Sequence, residues 1–210
     1  MALENYNGKT FVAFLDISGF RELMRSGKEK AERALDIFYQ SGYDVLLSNF
    51  ELKGIFVSDS GILYSTDEQN SETIKLKKIL EAVKFINEQM LDNDFMLKTS
   101  IAFGEFSYSG RIELPNISKS MILGNAYTEA FIDNDKVKTG MCRIIDLPNT
   151  IIVSEVNFPL LKQKGKYYYY YWNIPENADN KEEKIDNFIK SHKDSYQLKF
   201  EGILKALKNT

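Results

Sequence analysis

Cysteine and histidine are almost absent from this chain of 210 residues, which contains one of each, Cys142 and His192. A single cysteine cannot form a disulfide within the chain, so we expect a reducing compartment and a cytoplasmic protein. The same scarcity excludes zinc sites that need sets of Cys and His ligands. It also excludes a Ser-His-Asp triad unless His192 serves it, and the lysines near His192 favour a solvated side chain.

Long apolar runs and an excess of positive charge are missing as well. No apolar run approaches the roughly 20 residues that a membrane span needs, and residues 1–9 lack the apolar stretch of a secretion signal. Lys and Arg number 27 against 30 Asp and Glu, which gives a net charge of −3. This balance argues against general nucleic-acid binding. We therefore expect neither a nucleic-acid partner nor stable membrane insertion.

Apolar and aromatic residues are plentiful, at 43% and 13% of the chain, which excludes a disordered or collagen-like protein. The hydrophobic periodicity and the turn residues predict, in order, a strand, a helix that Gly27 and Gly42 could divide, a hairpin of two strands, a helix and a further strand. The corresponding ranges are 10–15, 23–39, 52–57, 61–65, 74–90 and 96–103.

This order, βααββαβ, predicts an α+β fold of the ferredoxin-like palm type. We expect a mostly antiparallel sheet with helices on one face. The first domain is expected to span residues 1–175. The remainder, 176–210, is expected to form a C-terminal helical extension that packs on the same domain.

Two acidic residues stand out by their position, Asp16 and Asp59. Asp16 closes the first buried strand, where an ionised group is costly unless it binds something, and Asp59 lies in the predicted hairpin turn. If the strands before them run parallel in one sheet, both carboxylates lie at the same edge. Such a pair suits Mg²⁺ or Mn²⁺. The alternative is structural, with Asp16 as a helix cap and Asp59 as a turn residue.

The residues after Asp16 turn directly into a helix. Ser18, Gly19 and Phe20 stand where backbone N–H groups point outward at the positive end of that helix. Such a terminus favours a phosphate group, and Gly19 allows the ligand to come close.

Four segments resemble the catalytic domain of class III nucleotidyl cyclases, the superfamily of adenylate and guanylate cyclases. They are 14–20 (FLDISGF), 57–61 (VSDSG), 100–104 (SIAFG) and 122–126 (ILGNA). The resemblance implies that Asp16, the carbonyl of Ile17 and Asp59 bind two Mg²⁺ or Mn²⁺ ions per site. It also implies a homodimer with shared active sites and a nucleoside triphosphate as substrate. The product would be a 3′,5′-cyclic monophosphate, released with pyrophosphate.

Several positions depart from that family's pattern. Ile55 and Met121 stand where adenylate cyclases select the purine, and Thr128 stands at the position of the transition-state asparagine. Ile132 stands at that of the arginine which follows it.

Other residues could supply what these positions lack. Lys166, or Lys162 or Lys164, could serve as the family's late phosphate-binding lysine. Arg111 could replace the missing cation or be a solvated loop residue. Phe56 is either a core residue or, since it lies near the hairpin, in contact with a base.

The combination is most similar to the compact bacterial pyrimidine cyclases of antiphage (Pycsar) signalling. That likeness implies UTP or CTP as the substrate and production of a second messenger in antiviral defence. Two alternatives stay open: a degenerate cyclase-like module that binds a nucleotide without turning it over, and a palm enzyme that joins two nucleotides.

Overall fold

A computed structural model of the chain describes residues 3–67, 69–110, 120–193 and 200–209, without the side chains of residues 191–193. The described residues form eight strands: β1 Tyr6–Ile17, β2 Leu52–Val57, β3 Ser60–Ser65, β4 Leu97–Gly110, β5 Ser120–Leu123, β6 Cys142–Ile144, β7 Leu161–Lys164 and β8 Tyr167–Tyr170. The same residues form six helices: α1 Phe20–Ser26, α2 Lys28–Leu47, α3 Glu72–Asp92, α4 Asn125–Asn134, α5 Lys181–Lys193 and α6 Phe200–Lys208. The predicted order βααββαβ is confirmed up to β4.

The described strands form one sheet in the order β2-β3-β1-β4-β6-β8-β7, and β5 pairs with β4 beside this path. All neighbouring pairs are antiparallel except β4 and β6. The central position of β1 follows from its run of buried residues, which a strand covered on both faces requires. The mostly antiparallel sheet is therefore confirmed.

The two faces of the sheet carry different layers. Alternate residues of β1 pack with the long helices α2 and α3: Phe11, Ala13, Leu15 and Ile17. The intervening residues Val12 and Phe14 pack against Ala126 and Ala130 of α4. Because successive side chains of a strand point to opposite faces, the expected helical layer covers one face, and the shorter α4 covers part of the other. The opening beside α4 leaves room for a site.

The two C-terminal helices belong to the main core. Ile185 and Phe188 of α5, and Ile203 and Leu207 of α6, are buried in the same cluster as the sheet. The side chain of Lys208 holds α6 to the end of α3 through an ion pair with Asp94 at 2.6 Å.

The helical stretch after β1 breaks at Gly27, which lies between α1 and α2. The possible break at Gly42 is wrong, because α2 continues through it to Leu47. A Cβ atom at Gly42 would lie 2.3 Å from Cζ of Phe56. Gly42 therefore makes room for an aromatic ring inside an unbroken helix. No helix of the described residues combines the length and the apolar character needed to cross a membrane.

Candidate active site

The fold brings Asp16 and Asp59 together. Strands β1 and β2 are both antiparallel to β3, which lies between them, so they run parallel to each other and end at the same edge. The turn from β2 to β3 consists of Ser58 and Asp59, and Asp16 pairs with Ser60 directly after it. The N–H of Ile17 donates a hydrogen bond to the carbonyl oxygen of Asp59 at 2.9 Å.

Asp16 has an unusual electrostatic environment for a carboxylate. Burial is the main cause that raises its pKa, and the carboxylates of Asp59 and Asp135 raise it further. Lys98 acts in the opposite direction: its Nζ lies 3.0 Å from Oδ2 of Asp16. The net result is a raised pKa, so a bound cation would relieve the repulsion among these carboxylates.

Sequence reasoning missed Lys98 and Asp135. Lys98 pairs with Asp16 in the register of β1 and β4, so only the pairing of two distant strands makes them neighbours. Asp135 caps the C-terminus of α4. No sequence signal distinguishes either residue from an ordinary charged surface residue.

The C-terminus of α4 is tied to the sheet by two buried polar residues. Nδ2 of Asn134 donates to the carbonyl oxygens of Phe14 and Lys98, each at 3.1 Å. The carboxylate of Asp133 accepts hydrogen bonds from Ser100 Oγ and Arg143 Nε, each at 2.7 Å. These bonds hold the end of α4, and with it Asp135, beside Asp16.

The turn after Asp16 has the geometry of a tight helix start. Gly19 precedes α1 with a φ of 74°, a left-handed conformation that glycine adopts without strain. The N–H of Ser18 already donates to Met96 O at 2.8 Å, whereas the first N–H groups of a helix have no partner within it. Ser18 Oγ is buried and has no hydrogen-bond partner among the described residues. Phe20 packs against the core.

An apolar groove of about 300 Å³ runs beside Asp16, between the β2–β3 hairpin and α4. Phe14 forms its floor, and Tyr127 and Phe131 of α4 stack with 6.0 Å between their ring centroids to form one wall. The opposite wall contains Ile55 and Val57 of β2. Ile55 thus lies where a base could rest, with no group that could hydrogen-bond to it.

Phe56 lies on the other side of the sheet. Its ring packs against Phe38 of α2, with 5.0 Å between centroids, because β2 directs alternate residues to opposite faces. This placement contradicts the expected contact between Phe56 and a base. Met121 lies on β5 and is 37% exposed, and its neighbour Ile122 lines the groove.

Thr128 and Ile132, at the positions of the family's transition-state pair, carry no charge. Thr128 Oγ1 donates to the carbonyl oxygen of Gly124 at 3.1 Å, within its own helix, and Ile132 is an exposed apolar residue on α4. Arg111, the candidate replacement cation, lies outside the described residues.

Lys166 is remote from Asp16 within one chain. Across the sheet, Leu15 is level with Thr99 of β4, Cys142 of β6 and Tyr170 of β8. Lys166 precedes β8, so it lies three strands away from Asp16 and toward the opposite edge of the sheet. The separation is roughly 20 Å from strand spacing and rise. The side chain of Lys166 lies over the ring of Tyr167 at 5.1 Å.

No protein-family model and no curated protein matches this chain. Solved structures do share its fold. One is the guanylate cyclase domain of RhGC from Catenaria anguillulae in complex with GTP, with a TM-score of 0.59 and 14% identity over 80% of this chain and 98% of that one. The chain has the class III cyclase fold.

Two further structures agree. The adenylyl cyclase CyaB from P. aeruginosa has a TM-score of 0.56 and 15% identity over 85% of this chain and 99% of that chain. The guanylyl cyclase domain of the RhoGC fusion protein from Blastocladiella emersonii, described as dimeric, has a TM-score of 0.60 and 11% identity. That match covers 80% of this chain and 96% of the other. At these identities, the likeness establishes the fold and leaves the activity to the site.

Proposed function

We propose that this protein is a nucleotide cyclase. It would convert a nucleoside triphosphate into a 3′,5′-cyclic monophosphate and pyrophosphate. The observation that carries the proposal is the juxtaposition of Asp16 and Asp59 at one edge of a cyclase-type sheet, where Asp59 raises the pKa of Asp16. In the reaction, the 3′ oxygen bonds to the α-phosphorus as the bond to pyrophosphate breaks, and the hydroxyl proton is released.

The donor set fits Mg²⁺ or Mn²⁺. The described residues contain no group of three or more His, Cys, Asp or Glu side chains that could hold a metal by themselves. Mg²⁺ does not need such a group, because it is commonly held by one or two carboxylates together with substrate phosphates. Asp16, Asp59 and the carbonyl of Ile17 would hold two ions. When bound, the ions would lower the pKa of the 3′-hydroxyl and neutralise the charge that develops on the phosphates.

The other residues of the site would position the substrate. Lys98, already 3.0 Å from Asp16, would attract the triphosphate. The backbone N–H groups of Gly19 and Phe20 would receive a phosphate group at the start of α1, beside Ser18, whose own N–H donates to Met96 O. Both contributions bring the reacting phosphate to the aspartate pair without themselves reacting.

We assign the groove beside α4 to the base of a pyrimidine substrate, UTP or CTP, as the resemblance of the sequence implies. Its described side chains offer stacking and apolar contact through Phe14, Tyr127 and Phe131, but no charged group that would select a purine. Production of the cyclic nucleotide as a second messenger in bacterial antiphage defence, in the cytoplasm, follows from the resemblance of the sequence to the compact pyrimidine cyclases.

A homodimer with shared sites would explain the position of Lys166. Because that side chain is remote from Asp16 in its own chain, it can assist only a site on a second copy. Apolar side chains on the α4 side of the sheet are available to such a contact: Val57 is 68% exposed, Phe131 48% and Ile132 51%. Met121 and Thr128 would lie at the same contact between the two copies. Residues 1–175 would form the catalytic domain of each copy.

The first test incubates the purified protein with Mn²⁺ and each of ATP, GTP, CTP and UTP, and identifies the products by mass spectrometry. Asp16→Asn and Asp59→Asn should abolish product formation. Asp186→Asn, an exposed carboxylate on α5, is the matched control and should keep full activity. No product from any triphosphate, with all variants folded, contradicts the proposal.

A mixing experiment tests the shared site. Asp16→Asn and Lys166→Ala protomers should each be inactive as homodimers. An equimolar mixture should regain about a quarter of the wild-type rate, because half of the dimers then hold one complete site of two. Activity that stays absent in the mixture contradicts sharing, even if the wild type is an active cyclase.

A second function, nucleotide binding without turnover, is favoured by α4 itself. The hydroxyl of Thr128 donates a hydrogen bond within its own helix, and the side chain of Ile132 has no charge that could stabilise a transition state. Calorimetry would then show metal-dependent nucleotide binding that Asp16→Asn removes. Mass spectrometry would find no product over hours.

A further inference from the structure

A second cavity, of about 150 Å³, lies away from the aspartate pair. It opens between strands β6 and β8, helix α5 and the segment that joins α4 to β6. Four cationic residues, Lys136, Lys138, Arg143 and Lys164, lie in its wall beside the apolar residues Val137, Met141 and Ile189. Tyr169 and Tyr171 complete the polar lining, and none of the described lining residues is acidic.

The charge of Arg143 is already balanced. Its guanidinium donates through Nε to the carboxylate of Asp133 at 2.7 Å and forms a second bond through Nη2. The guanidinium carbon, Cζ of Arg143, lies 4.2 Å from the ring centroid of Tyr167. Lys136 and Lys164, by contrast, form no ion pair with any residue that the structure describes. The cavity therefore carries an excess of positive charge over a neutral floor.

The lysine-bearing segment is held in place at both ends. The N–H of Lys136 donates to Asp133 O at 2.8 Å, and the N–H of Gly140 donates to Leu97 O at 2.8 Å. The indole N–H of Trp172 donates to the carbonyl oxygen of Gly140 at 3.1 Å. These bonds fix the backbone that carries Lys136 and Lys138.

We propose that this cavity binds the phosphate group of a small molecule. A cavity whose wall carries several lysine ammonium groups suits a dianion, and each charge-assisted hydrogen bond to a phosphate oxygen is stronger than a neutral one. The tyrosine rings offer an apolar contact to the rest of the ligand. Asp16 and Asp59 of the same chain do not line this cavity.

Trp172 provides the measurement. It is the one tryptophan of the chain, and its bond to Gly140 ties it to the lysine-bearing segment. Intrinsic fluorescence is recorded while inorganic phosphate, pyrophosphate or uridine monophosphate is added at constant ionic strength, with acetate as the monoanion control. We expect a saturable change with the phosphates, with a Kd tighter than about 1 mM, and none with acetate.

Substitutions locate the binding. Lys136→Gln and Lys164→Gln should each weaken phosphate binding at least about tenfold, since each removes a charge-assisted bond. Lys30→Gln, which removes the same charge from α2 on the other layer, should leave the affinity unchanged. Asp16→Asn should also leave it unchanged, which separates this site from failure or success of the cyclase proposal.

Four results decide the proposal, two against it and two in its favour. Equal affinities in the wild type and both cavity variants, with circular dichroism showing all of them folded, overturn it. Absence of a saturable change with every phosphate overturns it as well. Tighter binding of the nucleotide than of the free anions, lost in the cavity variants, supports a nucleotide ligand. The reverse order supports free phosphate or pyrophosphate.

Discussion

The backbone N–H of Ile17 bonds to the carbonyl oxygen of Asp59 at 2.9 Å, joining two segments that are 42 residues apart in the sequence. This bond continues the pairing of β1 and β3 into the hairpin turn. It places the second aspartate beside the first through the backbone, so the separation of the two carboxylates depends on the shape of one two-residue turn.

That turn contains a strained residue. Ser58 has a φ of 53°, a region that costs a side-chain-bearing residue about 1–2 kcal/mol. Ser58→Gly should therefore raise the free energy of unfolding by about 1 kcal/mol, measured by urea denaturation. Ser58→Ala keeps the strain and serves as the control, and an equal gain in both variants would point to the loss of the hydroxyl instead.

The packing of Phe56 against Gly42 predicts that a larger residue at one position is tolerated only with a smaller residue at the other. Gly42→Ala should lower the free energy of unfolding by about 1–3 kcal/mol, because the new Cβ would lie 2.3 Å from the ring. Adding Phe56→Leu should recover most of the loss, since the helix keeps the better propensity of alanine. A double variant no more stable than Gly42→Ala alone would show that the clash is relieved elsewhere.

The buried ion pair of Asp133 and Arg143 predicts that removing one partner costs more stability than replacing both. Both side chains are about nine-tenths buried, so Asp133→Ala should lower the free energy of unfolding by about 3–5 kcal/mol, because it leaves an uncompensated charge. The double variant Asp133→Ala, Arg143→Met should be clearly more stable than the single one. Denaturation curves that show additive losses would contradict this coupling.

The raised pKa of Asp16 predicts a pH-dependent cost. Because its pKa is higher in the folded state than in the unfolded state, the ionised form opposes folding. This cost is absent below the ordinary pKa, grows as the pH rises from that value to the raised folded value, and is complete above it. Asp16→Asn should therefore raise Tm near neutral pH and have little effect near about pH 3. A constant difference at all pH values would contradict the assignment.

Metal binding should reverse that cost. At a Mn²⁺ concentration about ten times Kd, the wild type should gain about 1.4 kcal/mol of stability near neutral pH. The gain should shrink as the pH falls through the pKa of Asp16, since the proton competes with the ion. Thermal shifts of Asp16→Asn and Asp59→Asn should show no gain, whereas Asp186→Asn should behave as the wild type.

Local sequence signals predicted the strands and helices of the palm because these depend on hydrophobic periodicity and on turn residues. They were weaker where packing opposes propensity. Gly42 is a poor helix former by itself, but α2 passes through it because the ring of Phe56 needs the space. For Phe56 the sequence leaves both the core and a base as contacts, because a position near the hairpin does not reveal which alternate residues of β2 face the helices.

The sequence by itself determined the order of elements, the position of Asp16 at the end of a buried strand and that of Asp59 in the following hairpin, because these are local properties of the chain. Only the tertiary structure decided that Lys98 and Asp135 stand beside Asp16, that Lys166 is remote from it and that three lysines share a cavity with Arg143. Strand register and the docking of α4 arise from contacts between distant segments, and no local pattern of residues encodes them.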